Sequence, residues 1–146
     1  MMNEEYDVIE RASQAGYFRV FLQALESTGL TQTLKEAGPY TVFAPIDDAF
    51  VKMPKAKLED LFKIENRESL QSLLRNHIVF GKLTSTDLKR HDEIKSAKGE
   101  DLIIESRAGL WVNEGQVLTA DLLASNGVLH GIDTVLMPES RVAAAS

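Results

Sequence analysis

Cysteine is absent from this chain of 146 residues, and with it go thiol nucleophiles, thiolate zinc sites and disulfide staples. Basic charge is scarce. There are 16 Lys and Arg against 22 Asp and Glu, a formal charge of −6, and no cationic stripe overcomes it locally. An acidic surface repels phosphate backbones and anionic lipid, so neither nucleic acid nor an anionic membrane surface is an expected partner. The densest basic run, Lys89-Arg90-His91, is followed at once by Asp92 and Glu93 and reads as a solvated turn. No apolar run approaches the roughly 20 residues that span a bilayer. The opening MMNEEYDVIERA is acidic and lacks the apolar core of a signal peptide.

Chemical signatures are missing as well. The three histidines stand far apart, without H-x-x-x-H or H-x-H spacing, so no histidine metal site is expected. No glycine-rich phosphate loop occurs, and no serine sits in a G-x-S-x-G elbow. Ser125, His130 and Asp133 come from unrelated faces of one strand and its turn, so they do not read as a hydrolytic triad. The expectation is a chain without catalytic activity, cofactor or metal.

What is present is a globular composition, 44% hydrophobic and 26% charged. The first half reads helical. Val8, Ile9 and Ala12 form a short apolar stripe that ends near Gly16. Phe18, Phe21, Leu22 and Leu25 sit at i, i+3, i+4 and i+7, one helix face, with Gly29 past its end. Thr31 is the expected cap of a brief helix through Ala37, stopped by Gly38-Pro39. Leu58, Leu61 and Phe62 mark another short helix. Asn66 is the expected N-cap of the clearest one, with Leu70, Leu73, Leu74, His77 and Ile78 on one face.

The second half reads as strands near 92–97, 102–106, 110–112, 116–123 and 128–137, punctuated by Lys98-Gly99, Ala108-Gly109, Glu114-Gly115 and Asn126-Gly127. Asn126-Gly127 suits a type I′ hairpin, which needs positive φ at both positions. Helices segregated from an antiparallel sheet define an α+β domain. The short tail ending VAAAS is expected to fray.

Tyr40 to Phe50, YTVFAPIDDAF, raises the question of an acidic site. Adjacent residues do not converge on one ligand, on a strand or on a helix. Pro45 marks a strand end, and Asp47 can then accept from the free N–H groups of a following helical turn, with Phe50 and Met53 as its apolar face. The paired carboxylates Asp47-Asp48 therefore read as a corner. His77 lies on an apolar helix stripe, and His130 shares a strand face with Val128, Ile132 and Leu136, so each reads as a core histidine tied by hydrogen bonds. Trp111, the sole tryptophan, reads as a half-buried strand aromatic, with stacking on a sugar ring or anchoring of a partner as the alternative.

Three segments, GPYTVFAPIDDAF, LLRNHIVFGKL and ASNGVLHGIDTVLMP, occur in an order and at a spacing that resemble a fasciclin domain. The resemblance covers nearly all of residues 4–138 as a single domain, leaving 139–146 as a tail. It implies a wedge-like β-sandwich of about seven strands with helices packed along it, a layered α+β architecture. Thr41, Phe43, Pro45, Asp47, Phe50, His130 and Asp133 are then structural signature positions. The implied role is extracellular adhesion without catalysis, toward a cell-surface or matrix protein or a polysaccharide, with weak self-association as a further option. The contact surface is expected near Asn76, His77, Ile78 and the passage to Leu83, with Trp111 as a second point. The implied location is secreted, periplasmic or at the cell surface, a cytoplasmic one being left open by the acidic start. The alternative is a small-ligand carrier or enzyme with a pocket near His77 or His130. Two positions depart from the family pattern. Ile46 stands where relatives carry a small hydroxyl residue, and Asn76 precedes His77 where integrin-binding animal relatives have tyrosine.

Overall fold

The computed structural model describes residues 6–36, 38–106 and 108–136. Ala37, Met137 and the tail 139–146, each part of an expectation above, lie outside the described residues.

Three helices lead the chain: α1 (Val8–Ala15), α2 (Arg19–Thr28) and α3 (Leu30–Leu34). A capping box starts α1. The Asp7 carboxylate accepts from the Glu10 N–H, and the Glu10 carboxylate accepts from the Asp7 N–H. Gly29 ends α2 at φ 80°, a left-handed conformation that glycine adopts without a Cβ clash. It also opens α3, so Thr31 lies inside that helix rather than capping it, a correction to the expected boundary.

Strand β1 (Tyr40–Pro45) follows, then α4 (Asp47–Val51), α5 (Lys55–Leu61), a 3₁₀ turn at Ile64–Asn66, and α6 (Arg67–Arg75). Asn66 does occupy the N-cap of α6, but its amide donates to the Asp60 carbonyl instead of capping the helix with its oxygen. The apolar stripe Leu70, Leu73 and Leu74 is buried as its spacing requires. His77 and Ile78 do not continue it. The helix stops at Arg75, and Ile78 opens strand β2 (Ile78–Phe80).

The remaining elements are α7 (Ser85–Leu88), β3 (Glu93–Lys95), β4 (Asp101–Ser106), β5 (Leu110–Val112), β6 (Gly115–Ala124) and β7 (Gly127–Ile132). The seven strands form one sheet in the order β2-β1-β7-β6-β5-β4-β3. It is mixed, not purely antiparallel, because β1 and β7 run parallel, with Phe43 opposite His130. The expected type I′ turn at Asn126-Gly127 is replaced by a two-residue loop, Ser125-Asn126, between the paired Ala124 and Gly127, and neither Asn126 nor Gly127 has positive φ.

The sheet curls until its edges meet. The Ala97 N–H, just past β3, donates to the Ile78 carbonyl of β2 at 2.6 Å. Alternation along the strands then divides the core in two. Tyr40, Val42, Ala44 and Leu129 pack against the helices through Phe21, Leu25 and Leu74. Phe43, Val79, Ile94, Leu102, Val112 and Ile132 fill the space enclosed by the sheet. Burying each of these larger side chains contributes about 2 kcal/mol. Every residue of β1 and β7 is buried, as strands covered on both faces must be.

Candidate functional site

The segment joining α6 to β2 carries Asn76, His77 and Ile78, all buried. The Asn76 amide donates to the Leu136 carbonyl at 3.3 Å, and its side-chain oxygen accepts from the Ser96 hydroxyl at 3.1 Å. Asn76 thus stands where the sheet edges close. Its buried amide needs such partners, because an unpaired polar group costs about 1–3 kcal/mol.

His77 is fixed at both nitrogens. Nε2 accepts from the Leu136 N–H at 2.9 Å, so the ring proton is on Nδ1, which donates to the Leu73 carbonyl at 2.9 Å. Burial disfavours the charged ring and lowers its pKa from 6.5 to about 4, against the pull of the Leu73 carbonyl. Phe21 lies tilted beside it, ring centroids 6.1 Å apart.

His130 holds the opposite tautomer. Nδ1 accepts from the Asp121 N–H at 3.1 Å, and Nε2 donates to the Leu83 carbonyl at 2.8 Å. Its pKa is lowered, mainly by burial, with the Leu83 carbonyl and the Asp121 carboxylate opposing. Phe43 stacks on it at 5.7 Å. Each imidazole has both nitrogens engaged by backbone, so neither has a nitrogen free to act as base, nucleophile or ligand. Among the described residues no group of three or more His, Asp or Glu is placed to hold a metal ion.

The acidic corner is solved differently from the sequence expectation. Asp47 begins α4 but does not cap it. Its carboxylate accepts from the Val20 N–H at 2.9 Å, and its own N–H donates to the Tyr17 carbonyl. It therefore caps α2, whose own N-cap residue, Phe18, offers no side-chain acceptor. Ile46, at the N-cap of α4, makes no side-chain cap either. Asp48 is exposed. Phe50 is buried among the helices.

Thr41, Pro45 and Asp133, expected as signature positions, also serve the fold. The Thr41 hydroxyl donates to the Gly81 carbonyl and accepts from the Leu83 N–H, holding the chain after β2. Pro45 closes β1 opposite Ile132. Asp133 accepts from the Gln116 N–H at 2.9 Å and lies 3.8 Å from the Lys52 ammonium.

The expected contact stretch is thus interior at Asn76–Ile78, and its outward side chain is Phe80, 69% exposed on β2. Sequence reasoning held Phe80 only as part of the passage to Leu83 and did not single it out. The signal was alternation: with Val79 inward, Phe80 points out. Trp111 is half-buried, between Glu105 and Gln116 on the neighbouring strands, and its indole N–H donates to the Ala108 carbonyl at 3.4 Å. Two surface clefts stand out. One of about 400 Å³ is lined by Lys89, Ser106 and Leu118, and one of about 270 Å³ by Pro39, Lys82 and Ser125. Neither is lined by His77 or His130.

The fasciclin domain family matches residues 16–138. The Synechocystis sp. protein sll1483 is 37% identical over 132 residues, covering 90% of this chain and 73% of that protein. A second Synechocystis protein, sll1735, is 34% identical, with 90% of this chain and 97% of that protein covered. The pig transforming growth factor-beta-induced protein ig-h3 is 38% identical across 83% of this chain, which spans 18% of that larger protein. In three dimensions the chain superimposes on the domain pair of the insect cell adhesion molecule fasciclin I with TM-score 0.84 and 18% identity, covering 95% of this chain and 53% of that one. The family match spans most of the chain, and the fold agrees with it: this chain belongs to the fasciclin domain family.

Proposed function

We propose that the protein is a non-enzymatic adhesion or binding module acting at a cell surface or outside the cell. Its partner is a cell-surface or matrix protein or a polysaccharide. Family membership carries this reading, since fasciclin domains are typically binding modules and occur in relatives such as ig-h3. The engagement of both imidazoles supports the absence of catalysis and weighs against a ligand pocket at either histidine. Contact centres on Phe80 and Lys82, at and beyond the end of β2, rather than on the buried Asn76–Ile78. Exposed aromatics are frequent anchors of interfaces. A single patch of this size binds weakly and becomes useful when many copies act together.

The test is retention of labelled protein on immobilised polysaccharides, on matrix proteins and on cells of the source organism, with Phe80→Ser alongside. Saturable retention that Phe80→Ser loses, at an unchanged melting temperature, supports the reading. Absence of retention on every surface overturns it.

A further inference from the structure

Strand β6 breaks its alternation twice. Against β7, Val117 pairs with Ile132 and Thr119 with Gly131, so Leu118 is an extra residue. Thr119 to Leu122 then spans three steps against two on the partner. Two bulges fall within six residues. Asp121, in the second, sits at φ 61°, a left-handed conformation that costs a residue with a Cβ and is sustained only by surrounding contacts.

Those contacts are specific. The Asp121 N–H, released from the strand ladder, donates to Nδ1 of His130. The Asp121 carboxylate accepts from the Ser85 N–H at 2.7 Å and from the Ser85 hydroxyl at 2.6 Å, and so draws the start of α7 onto β6. The bulges also let Val117 line one cleft with Leu118 and Ala120, although a regular strand would turn it to the opposite face.

That cleft has a volume of about 400 Å³, within the range of small-molecule sites. One side of it is apolar, with Leu110 and Val117 joined by Leu118, a leucine 53% exposed. Its polar side carries Ser106 and Lys89. Lys89 is exposed and forms no ion pair among the described residues, although the chain as a whole is acidic. The nearby Asp121 carboxylate is already occupied by Ser85.

We infer that the cleft between α7 and the bulged strand β6 binds a small amphiphilic carboxylate, its anionic head at Lys89 and its apolar tail along Leu118. The site is independent of the contact surface at Phe80. Because the cleft is open, binding is weak and exchange fast, which suits detection by amide chemical shifts.

The experiment titrates the full chain with octanoate below its micellar concentration and follows backbone amides, with octanol and acetate as probes lacking charge or tail. Saturable shifts are expected at 85–89, 108–111 and 117–121, with octanoate binding more tightly than either control. Lys89→Gln should weaken octanoate roughly fivefold, the worth of an exposed ion pair, and leave octanol unchanged. Leu118→Ser should weaken both. Both residues are exposed, so the variants keep the wild-type melting temperature. Absence of saturable shifts at these amides overturns the inference, as does octanoate binding that neither variant alters.

Discussion

The backbone N–H of Leu136 donates to Nε2 of His77 across 59 residues of sequence. That bond ties the chain beyond β7 to the end of α6, and it exists only while the ring is neutral. A protonated ring has two donors and no acceptor, so it would leave the Leu136 N–H facing another N–H.

Stability should therefore depend on pH with a defined sign. Unfolded His77 protonates near 6.5, and the folded ring only near 4. Between these values the unfolded chain holds a proton that the folded chain lacks, so stability rises with pH. The contribution is complete above 6.5 and is lost as pH falls toward 4, a loss of about 3 kcal/mol at roughly 1.4 kcal/mol per unit. His130, whose pKa is also lowered, adds in the same direction. Urea unfolding at steps between pH 7 and 4 measures the slope. In His77→Leu the slope should flatten while stability at pH 7 drops. An equal slope in both proteins would remove His77 as its source.

Asp47 and Asp48 should separate cleanly. Asp47→Ala removes the cap on α2 and should cost about 1 kcal/mol, within the usual range for an N-cap. Asp48→Ala removes an exposed carboxylate and should stay within about 0.5 kcal/mol. Denaturant midpoints of the two variants measure the difference. Equal losses would refute the cross-element cap.

This corner shows what was legible in the sequence. Spacing and turn residues placed α2, α6 and the strands of the second half, because periodicity and helix stops are local signals. The family could be read because its motifs lie in long contiguous segments. What escaped depends on partners distant in sequence. Asp47 finds its acceptor role 27 residues upstream, and β1 finds its parallel partner, β7, more than 80 residues downstream. The end of α6 was also misread, because His77 and Ile78 continue the spacing of the buried stripe, yet the helix stops at Arg75 and Ile78 pairs with Val42 in the sheet.

Gly127 should tolerate no side chain. A Cβ there would run into the Tyr40 carbonyl, where β1 and β7 lie against each other. Both strands are fully buried, so the backbone has little room to yield. Gly127→Ala should cost about 3 kcal/mol, the upper end for overpacking, measured as a fall in the unfolding midpoint. By contrast, Phe80→Ser should leave the midpoint nearly unchanged, since that side chain is mostly in solvent. A mild Gly127→Ala would mean that the two strands can separate locally.

Asn76 offers the sharpest test of how the sheet closes. Its side chain joins Ser96 beyond β3 to Leu136 beyond β7, and the Ile78 carbonyl completes the seam through Ala97. Asn76→Leu keeps the branching of the side chain but leaves the Leu136 carbonyl and the Ser96 hydroxyl without this partner, at a cost of about 1–3 kcal/mol for each group stranded. Ser96→Ala removes one of these bonds together with the acceptor of the Lys98 and Glu100 N–H groups, and so carries a cost of its own. If the seam acts as a unit, the double variant should lose less than the sum of the single ones, because the second substitution removes a group already stranded by the first. Hydrogen exchange supplies the local readout. The Ala97 amide should lose protection in Asn76→Leu, while amides of the β6–β7 pair keep theirs. Unchanged protection at Ala97 would mean that the sheet edges are held by the apolar core alone.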